Sequence, residues 1–182
     1  MIAYLGFGLL VITLAITLYS AGAAFYGARA EKPAWVESAR YGMLLSFPLI
    51  TLAAVSIISL LLTDHYEVEY VYSVTSRSMP FYLRVTALWG GQAGSLVFWS
   101  WLLSAFASAV TLRRWDRDRE FLPWVIIVAC VTLAFFLSLS IFVENPFRRI
   151  WMTPLGQQLI AMFPPAGATL IYPPDGNGLN PL

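Results

Sequence analysis

The chain has 182 residues, and its composition excludes a water-soluble globular protein. Apolar residues make up 59% and charged residues 12%, whereas a soluble domain has about 45–50% and about 25%. The net charge of +1 provides neither a basic face for nucleic acid nor an acidic tail. A single cysteine, Cys130, excludes an internal disulfide, and a single histidine, His65, argues against a metal site built from His and Cys.

Four long stretches without charge predict four membrane-spanning helices. A helix that crosses about 30 Å of hydrocarbon needs about 20 apolar residues, and lipid offers no partner to an unpaired backbone amide. We place the spans at about 4–27, 41–63, 94–112 and 122–143. The first stretch is interpreted as a retained helix, because it lacks a positive n-region and is longer than the core of a signal peptide.

The predicted fold class is therefore an all-α integral membrane protein. Residues 1–143 form a four-helix membrane domain that includes an external loop at 64–93, and residues 144–182 form an external tail rich in Pro and Gly. No charged side chain lies within a span, which argues against a pump or another transporter made by this chain alone.

The distribution of basic residues predicts the orientation. The loops after the first and third spans together carry seven of them: Arg29, Lys32, Arg40, Arg113, Arg114, Arg117 and Arg119. The second loop and the tail together carry four: Arg77, Arg84, Arg148 and Arg149. By the positive-inside rule the first and third loops are cytoplasmic, so both termini and the 64–93 loop are expected outside.

The external loop carries two local patterns. Aromatic and β-branched residues alternate with period two over Tyr66–Thr75, which predicts a short extended segment. After Pro80, apolar residues at helical spacing up to Trp89 predict an amphipathic helix at the membrane interface. Gly90, Gly91 and Gly94 then allow the backbone to approach a neighbour or a ligand closely.

Two features of this region leave alternatives open. Trp89, Trp99 and Trp101 could face a large flat ligand, although an aromatic belt at the membrane surface is the interpretation that composition favours. His65 could be an axial haem ligand or a proton acceptor. A solvated interfacial histidine is favoured over both, because the chain has no second histidine.

The tail shows a helix signal followed by breakers. Thr153 and Pro154 suit a cap and a first helical turn, and Leu155, Leu159 and Met162 extend the pattern to about residue 163. We therefore predict a short amphipathic helix there. The Pro- and Gly-rich sequence beyond it predicts no core of its own, so another surface must order the tail if it is ordered.

Three ordered blocks of sequence resemble the cytochrome c maturation haem lyase family, which comprises CcmF and its NrfE relative. The first runs from Asp64 to Trp99 and includes Tyr70-Val71, Pro80-Phe81-Tyr82-Leu83-Arg84 and the Trp89–Leu96 run. The second is Asn145–Arg149, and the third is Asp175–Leu182. The resemblance extends over nearly the whole chain and implies its N-terminal membrane portion.

The resemblance implies a function for the whole assembly, namely attachment of haem vinyl groups to the Cys-x-x-Cys-His cysteines of apocytochrome c. It places this chain in the bacterial inner membrane and implies haem as the assembly's cofactor, with none expected on this chain alone. The implied contributors to a shared haem site are Arg84, Trp89, Gly90, Gly91 and Gly94. Arg84 would meet a haem propionate or, alternatively, a lipid headgroup.

The family's external histidines, tryptophan-rich segment and membrane histidines for a b-type haem have no counterpart among these residues. No catalytic residue and no metal ligand is therefore assigned. The implied partners are the lipid bilayer, the C-terminal part of a CcmF-like protein or another membrane subunit, apocytochrome c and a haem chaperone. The alternative function is a non-catalytic structural or accessory subunit of a larger membrane complex.

Overall fold

The computed structural model describes residues 1–114 and 119–178. Residues 115–118 lie outside this description, and they include Arg117, one of the basic residues from which the orientation is predicted. The side chains of Arg113 and Arg114 and the last four motif residues, 179–182, also lie outside it.

Four long helices dominate the described chain: α1 (Ile2–Arg29), α2 (Pro33–Leu62), α5 (Gln92–Arg114) and α6 (Leu122–Ser138), the last continuing as a π-helical turn over Leu139–Val143. Each gives a segment long and apolar enough to cross a membrane. The predicted fold class is thus confirmed. Helix α2 begins earlier than predicted, at Pro33 rather than near residue 41, because a proline ring fits the first helical turn.

The four helices pack in a ring in which α1 contacts α2 and α6, and α5 contacts the same two helices from the other side. Small polar side chains fill the helix contacts. Thr17, Ser100 and Ser104 are fully buried, and their hydroxyls donate to carbonyl oxygens of their own helices. These side chains let helices approach closely without leaving a polar group unsatisfied.

The remaining elements lie at one end of the bundle, where α1 and α5 begin and α2 and α6 end. We call this end the platform and define it as residues 64–91 together with 144–178. It contains the short helices α3 (Glu69–Val74) and α4 (Phe81–Thr86), a 3₁₀ turn at Ala87–Trp89, and three strands. The strands β1 (Arg149–Met152), β2 (Gln158–Ala161) and β3 (Thr169–Leu170) form an antiparallel sheet in the order β2-β1-β3.

The prediction of an extended segment over Tyr66–Thr75 was wrong for most of its length. Val68 and Thr75 are extended and flank α3 on either side, and Val68 forms a β-bridge with Arg149. Period two is visible in the sequence, yet Tyr70, Val71 and Val74 are the buried residues of α3 and share one helical face. The helix predicted between Pro80 and Trp89 is present as α4 and its 3₁₀ turn.

The helix predicted between Pro154 and about residue 163 was also wrong, because this segment is a β-hairpin. The Gly156 amide donates to the Thr153 carbonyl at 2.9 Å, and Gly156 adopts φ +75°. Proline at the second position of a turn and a left-handed glycine at its fourth favour a three-residue hairpin connection. Thr153-Pro154 therefore opens a turn between β1 and β2 rather than capping a helix.

Candidate functional site

The glycine-rich turn before α5 forms a slot that Tyr70 of α3 fills. A Cβ built on Gly94 would stand 2.2 Å from the Tyr70 hydroxyl and 1.9 Å from the Leu88 carbonyl oxygen. A Cβ on Gly91 would stand 3.0 Å from the Tyr70 ring. The close approach that the glycines predict is present, and its partner is a tyrosine of the same chain.

The Tyr70 hydroxyl fixes the turn through a three-centre hydrogen bond, in which two carbonyl oxygens share its single proton. It donates to the carbonyl oxygens of Ala87 at 2.8 Å and Leu88 at 2.9 Å. Tyr70 is 6% exposed, and burial raises the pKa of its phenol to about 12. The neutral phenol therefore joins α3 to the segment that connects α4 with α5.

A second junction centres on Asp64, at the end of α2. Its Oδ1 atom accepts hydrogen bonds from Arg84 at 2.8 Å and from the Tyr66 hydroxyl at 2.9 Å. Burial and the Asp64 carboxylate raise the pKa of Tyr66 to about 12. The Arg84 guanidinium also donates to the carbonyls of Met79 and Arg77. All three of its nitrogens thus form hydrogen bonds within the platform. This geometry favours a role in stabilising the loop over binding a haem propionate.

The tail motif that begins at Asp175 docks on the same loop. The Asp175 carboxylate accepts from the amides of Arg77 and Gly176, each at 2.8 Å, and these bonds hold the pKa of Asp175 below its usual range. The amides of Asn177 and Gly178 donate to the carbonyls of Tyr72 at 2.8 Å and Thr75 at 3.0 Å. The loop is therefore the surface that orders this part of the tail.

The Asn-Pro-Phe block after α6 anchors the platform to α1. Asn145 accepts the Phe147 amide on its side-chain oxygen at 2.9 Å, which turns the chain sharply at the end of the helix. Phe147 is fully buried, and a Cβ on Gly6 of α1 would lie 2.2 Å from its ring. Gly6 thus leaves the space that this phenylalanine occupies.

The remaining predicted site residues lie beside these junctions. Trp89 is 48% exposed, and its ring centroid lies 5.3 Å from that of Phe98. Phe98 stacks on Trp101 at 6.2 Å, and the Trp101 indole donates to Thr51 at 2.9 Å. Gly90 is exposed, and its amide donates to Ala87 at 3.1 Å. Trp99, whose ring centroid lies 6.3 Å from that of Phe98, is 58% exposed, so the array exposes two indoles, of which Trp89 is the one next to the glycine slot.

The metal-ligating side chains of the described residues do not form a cluster. His65 pairs its Nδ1 with Glu67 at 2.7 Å, and no group of three or more His, Cys, Asp or Glu side chains that could hold a metal occurs in the described ranges. Cys130 is buried between helices.

The platform brings Arg84 together with Asp64, and Gly91 together with Gly94, while Trp89 and Gly90 stand at the edge. Sequence reasoning missed Tyr70 and Asp64 as members of the site. Tyr70 had a signal, because Tyr70-Val71 is part of the first resembling block. Asp64 opens the same block, but nothing else in the sequence distinguishes it, since an acidic residue at the end of a span is ordinary.

The chain is similar to cytochrome c-type biogenesis proteins. The chain is 29% identical to CcmF of Haemophilus influenzae over all of its own length and 25% of the relative's. It is 28% identical to CcmF of Pseudomonas aeruginosa, again over 100% of this chain and 25% of the relative. With NrfE of Haemophilus influenzae it shares 27% identity over 96% of this chain and 27% of that protein.

A solved structure of a cytochrome c haem lyase, CcmF, has the same fold. It aligns with a TM-score of 0.74 at 20% identity, over 81% of this chain and 25% of the other. No family model matches the chain. The resemblance to CcmF and NrfE predicted from the three blocks is confirmed, and the chain spans about a quarter of the length of the curated relatives it matches.

Proposed function

We propose that the chain is the N-terminal membrane portion of a CcmF-like haem lyase and supports covalent attachment of haem to apocytochrome c. Its own task is to hold the platform, against which the remaining three quarters of the enzyme would pack. Haem, when bound by the complete assembly, supplies the vinyl groups that react with cysteine thiols. This chain contributes position rather than chemistry to that reaction.

One observation carries the proposal: the three resembling blocks, far apart in sequence, meet in a single structure. Tyr70 of the first block fills the glycine slot of the same block. Asp175 of the third block bonds to the loop of the first through the Arg77 amide. Arg149 of the second block pairs with Val68 of the first. A chain that only anchored another subunit would need four helices but not these interlocked connections.

The proposal gives the platform an orientation and a candidate surface. The basic loops at the opposite end support an orientation in which the platform lies outside the bacterial inner membrane. Apocytochrome c and a haem chaperone would then approach it from that side. Trp89, which is half exposed beside Gly90 and Gly91, is the residue through which the platform would touch a flat ligand shared with the rest of the enzyme.

Co-expression tests the proposal. The chain is produced in a bacterium whose own CcmF gene is replaced by a version lacking the region that this chain matches. We expect the two proteins to copurify and cytochrome c with covalently bound haem to reappear on a haem-stained gel. Absence of both would contradict the proposal. Copurification with other membrane complexes and no restored cytochrome c would instead support the accessory subunit.

A matched pair of glycine variants shows whether the platform is needed. Gly94→Ala places a methyl group 1.9 Å from the Leu88 carbonyl, and overpacking of this kind costs about 1–3 kcal/mol. Gly8→Ala meets nothing within 4 Å. We expect restored cytochrome c to fall several-fold with Gly94→Ala at equal membrane abundance and to stay unchanged with Gly8→Ala. Equal yields would show that the slot is dispensable.

A further inference from the structure

The β1–β2 hairpin exposes apolar side chains that the proposed function does not use. The run from 153 to 174, which includes the hairpin turn and β2, contains no charged residue and no histidine. Within it Leu155 is 85%, Leu159 42% and Phe163 60% exposed. We call these three residues the hairpin patch. Exposed apolar side chains grouped on one uncharged segment indicate a surface that binds a partner or a membrane.

The hairpin patch adjoins the lipid-facing side of a membrane span. The Phe163 ring lies 6.0 Å from that of Tyr4 and 5.9 Å from that of Phe7, both on α1. Tyr4 is itself 37% exposed, as is Leu5 at 59%. The patch therefore continues an apolar surface that already faces lipid.

The register of the sheet turns Leu159 toward the same helix. Leu159 stands opposite Trp151, so both side chains lie on one face of the sheet. Arg149 lies two residues before Trp151 and shares that face. Its guanidinium sits over the Tyr4 ring, 4.1 Å from the centroid. Leu159 therefore points to the side of the sheet on which α1 and its surrounding lipid lie.

The unpaired backbone groups at the outer edge of β2 limit how deeply the hairpin can enter the bilayer. The Ile150 amide donates to the Glu67 carbonyl at 2.9 Å, and the Ile150 carbonyl accepts from the Ile171 amide at 3.0 Å. Both bonds point away from β2. Because hydrogen-bonded and non-hydrogen-bonded pairs alternate, Ile160 opposite Ile150 directs its amide and carbonyl to the free edge of the sheet. Such groups are too costly in hydrocarbon but are satisfied by water and headgroups.

We propose that the hairpin patch inserts into the lipid leaflet at the platform end, at the level where headgroups meet acyl chains. Its lack of charge predicts binding to neutral lipid without an anionic headgroup and without dependence on salt. This inference requires that α1 crosses the membrane, but it does not rest on the role in cytochrome c maturation. The hairpin can therefore fail to contact lipid while the chain still restores cytochrome c, and it can contact lipid while the chain restores none.

Fluorescence quenching tests the contact. In a Cys130→Ser background, Leu155→Cys and separately Leu159→Cys are labelled with a polarity-sensitive fluorophore, and the full chain is reconstituted in phosphatidylcholine vesicles. We expect lipid carrying a spin label near its headgroup to quench both labels several-fold more strongly than iodide does. Ser78→Cys, in the exposed turn beside Arg77, is the matched control and should show the reverse preference at any salt concentration.

Two results would overturn the proposal. If iodide quenched the hairpin labels as strongly as the label at residue 78, the hairpin would lie in water. If neither quencher reached the hairpin labels, another protein surface, such as a second copy, would cover the patch. Quenching by spin-labelled lipid that appeared only with anionic lipid would contradict the uncharged mode of binding.

Discussion

Among single residues, Tyr70 is expected to contribute most to the platform. Tyr70→Phe keeps the ring in the glycine slot but removes the hydroxyl proton that the carbonyls of Ala87 and Leu88 share. The Ala87 carbonyl keeps the Gly90 amide as a donor, so the cost falls mainly on the Leu88 carbonyl, and a buried carbonyl that loses its partner costs about 1–3 kcal/mol. We expect a lower unfolding temperature in detergent, while Tyr172→Phe, at a residue 71% exposed, should leave it unchanged.

The pH dependence of the same variant gives a second readout. The native pKa of Tyr70 is about 12, whereas an exposed tyrosine titrates near about 10. The unfolded chain therefore loses its proton first, and the stabilisation is complete below about pH 10 and is lost as the pH rises toward 12. Tyr70→Phe should lose less stability over this interval than the unchanged chain. Identical alkaline profiles would show that Tyr70 does not hold a buried phenol.

The same residue shows how far the sequence reaches at this scale. Three glycines in a short run predict that something comes close, because only glycine leaves that room. The glycines do not identify the group that comes close, because a ligand and a side chain of the same chain would both require residues without a Cβ atom. Arg84 is similar: its charge predicts an anion, and the structure supplies the Asp64 carboxylate.

At the scale of elements, the docking of the tail on α3 depends on Gly176. A Cβ there would meet the Thr75 carbonyl at 2.1 Å and the Tyr72 carbonyl at 3.0 Å, two backbone atoms that cannot move aside cheaply. We expect Gly176→Ala to detach the tail, so that a protease cleaves it several-fold faster at about residue 172 while the helices stay intact. Asn177→Ala keeps its backbone hydrogen bond and is the matched control.

If Gly176→Ala left the protease resistance of the tail unchanged, β1 and β3 alone would hold the tail.

The element scale is also where sequence reasoning failed twice. Tyr66–Thr75 and the segment after Thr153 each carry a local pattern that favours one structure, and contacts with distant segments select another. Val68 pairs with Arg149, and the hairpin packs against α1 through Phe163. Neither partner is visible from local periodicity.

At the scale of the whole molecule the sequence was a better guide. The four spans follow from hydropathy alone, because crossing a bilayer demands length and apolarity and little else. What hydropathy does not contain is the way the connections interlock. Residues 64–91 and 144–178 meet only because the four helices return the chain to the same end twice. The three resembling blocks indicated that these segments matter together, but not how they touch.

The charges at the two ends of the molecule predict its orientation in the membrane. Seven basic residues precede or follow spans at the end opposite the platform, and four lie in the platform, so the platform should face outward. We expect a membrane-impermeant maleimide to label Ser78→Cys on intact spheroplasts, in a Cys130→Ser background. Glu120→Cys, exposed at the other end, should be labelled only after the membrane is permeabilised. The opposite pattern would put the platform in the cytoplasm, where it could not receive an external apocytochrome c, so that the proposed function would fail with the orientation.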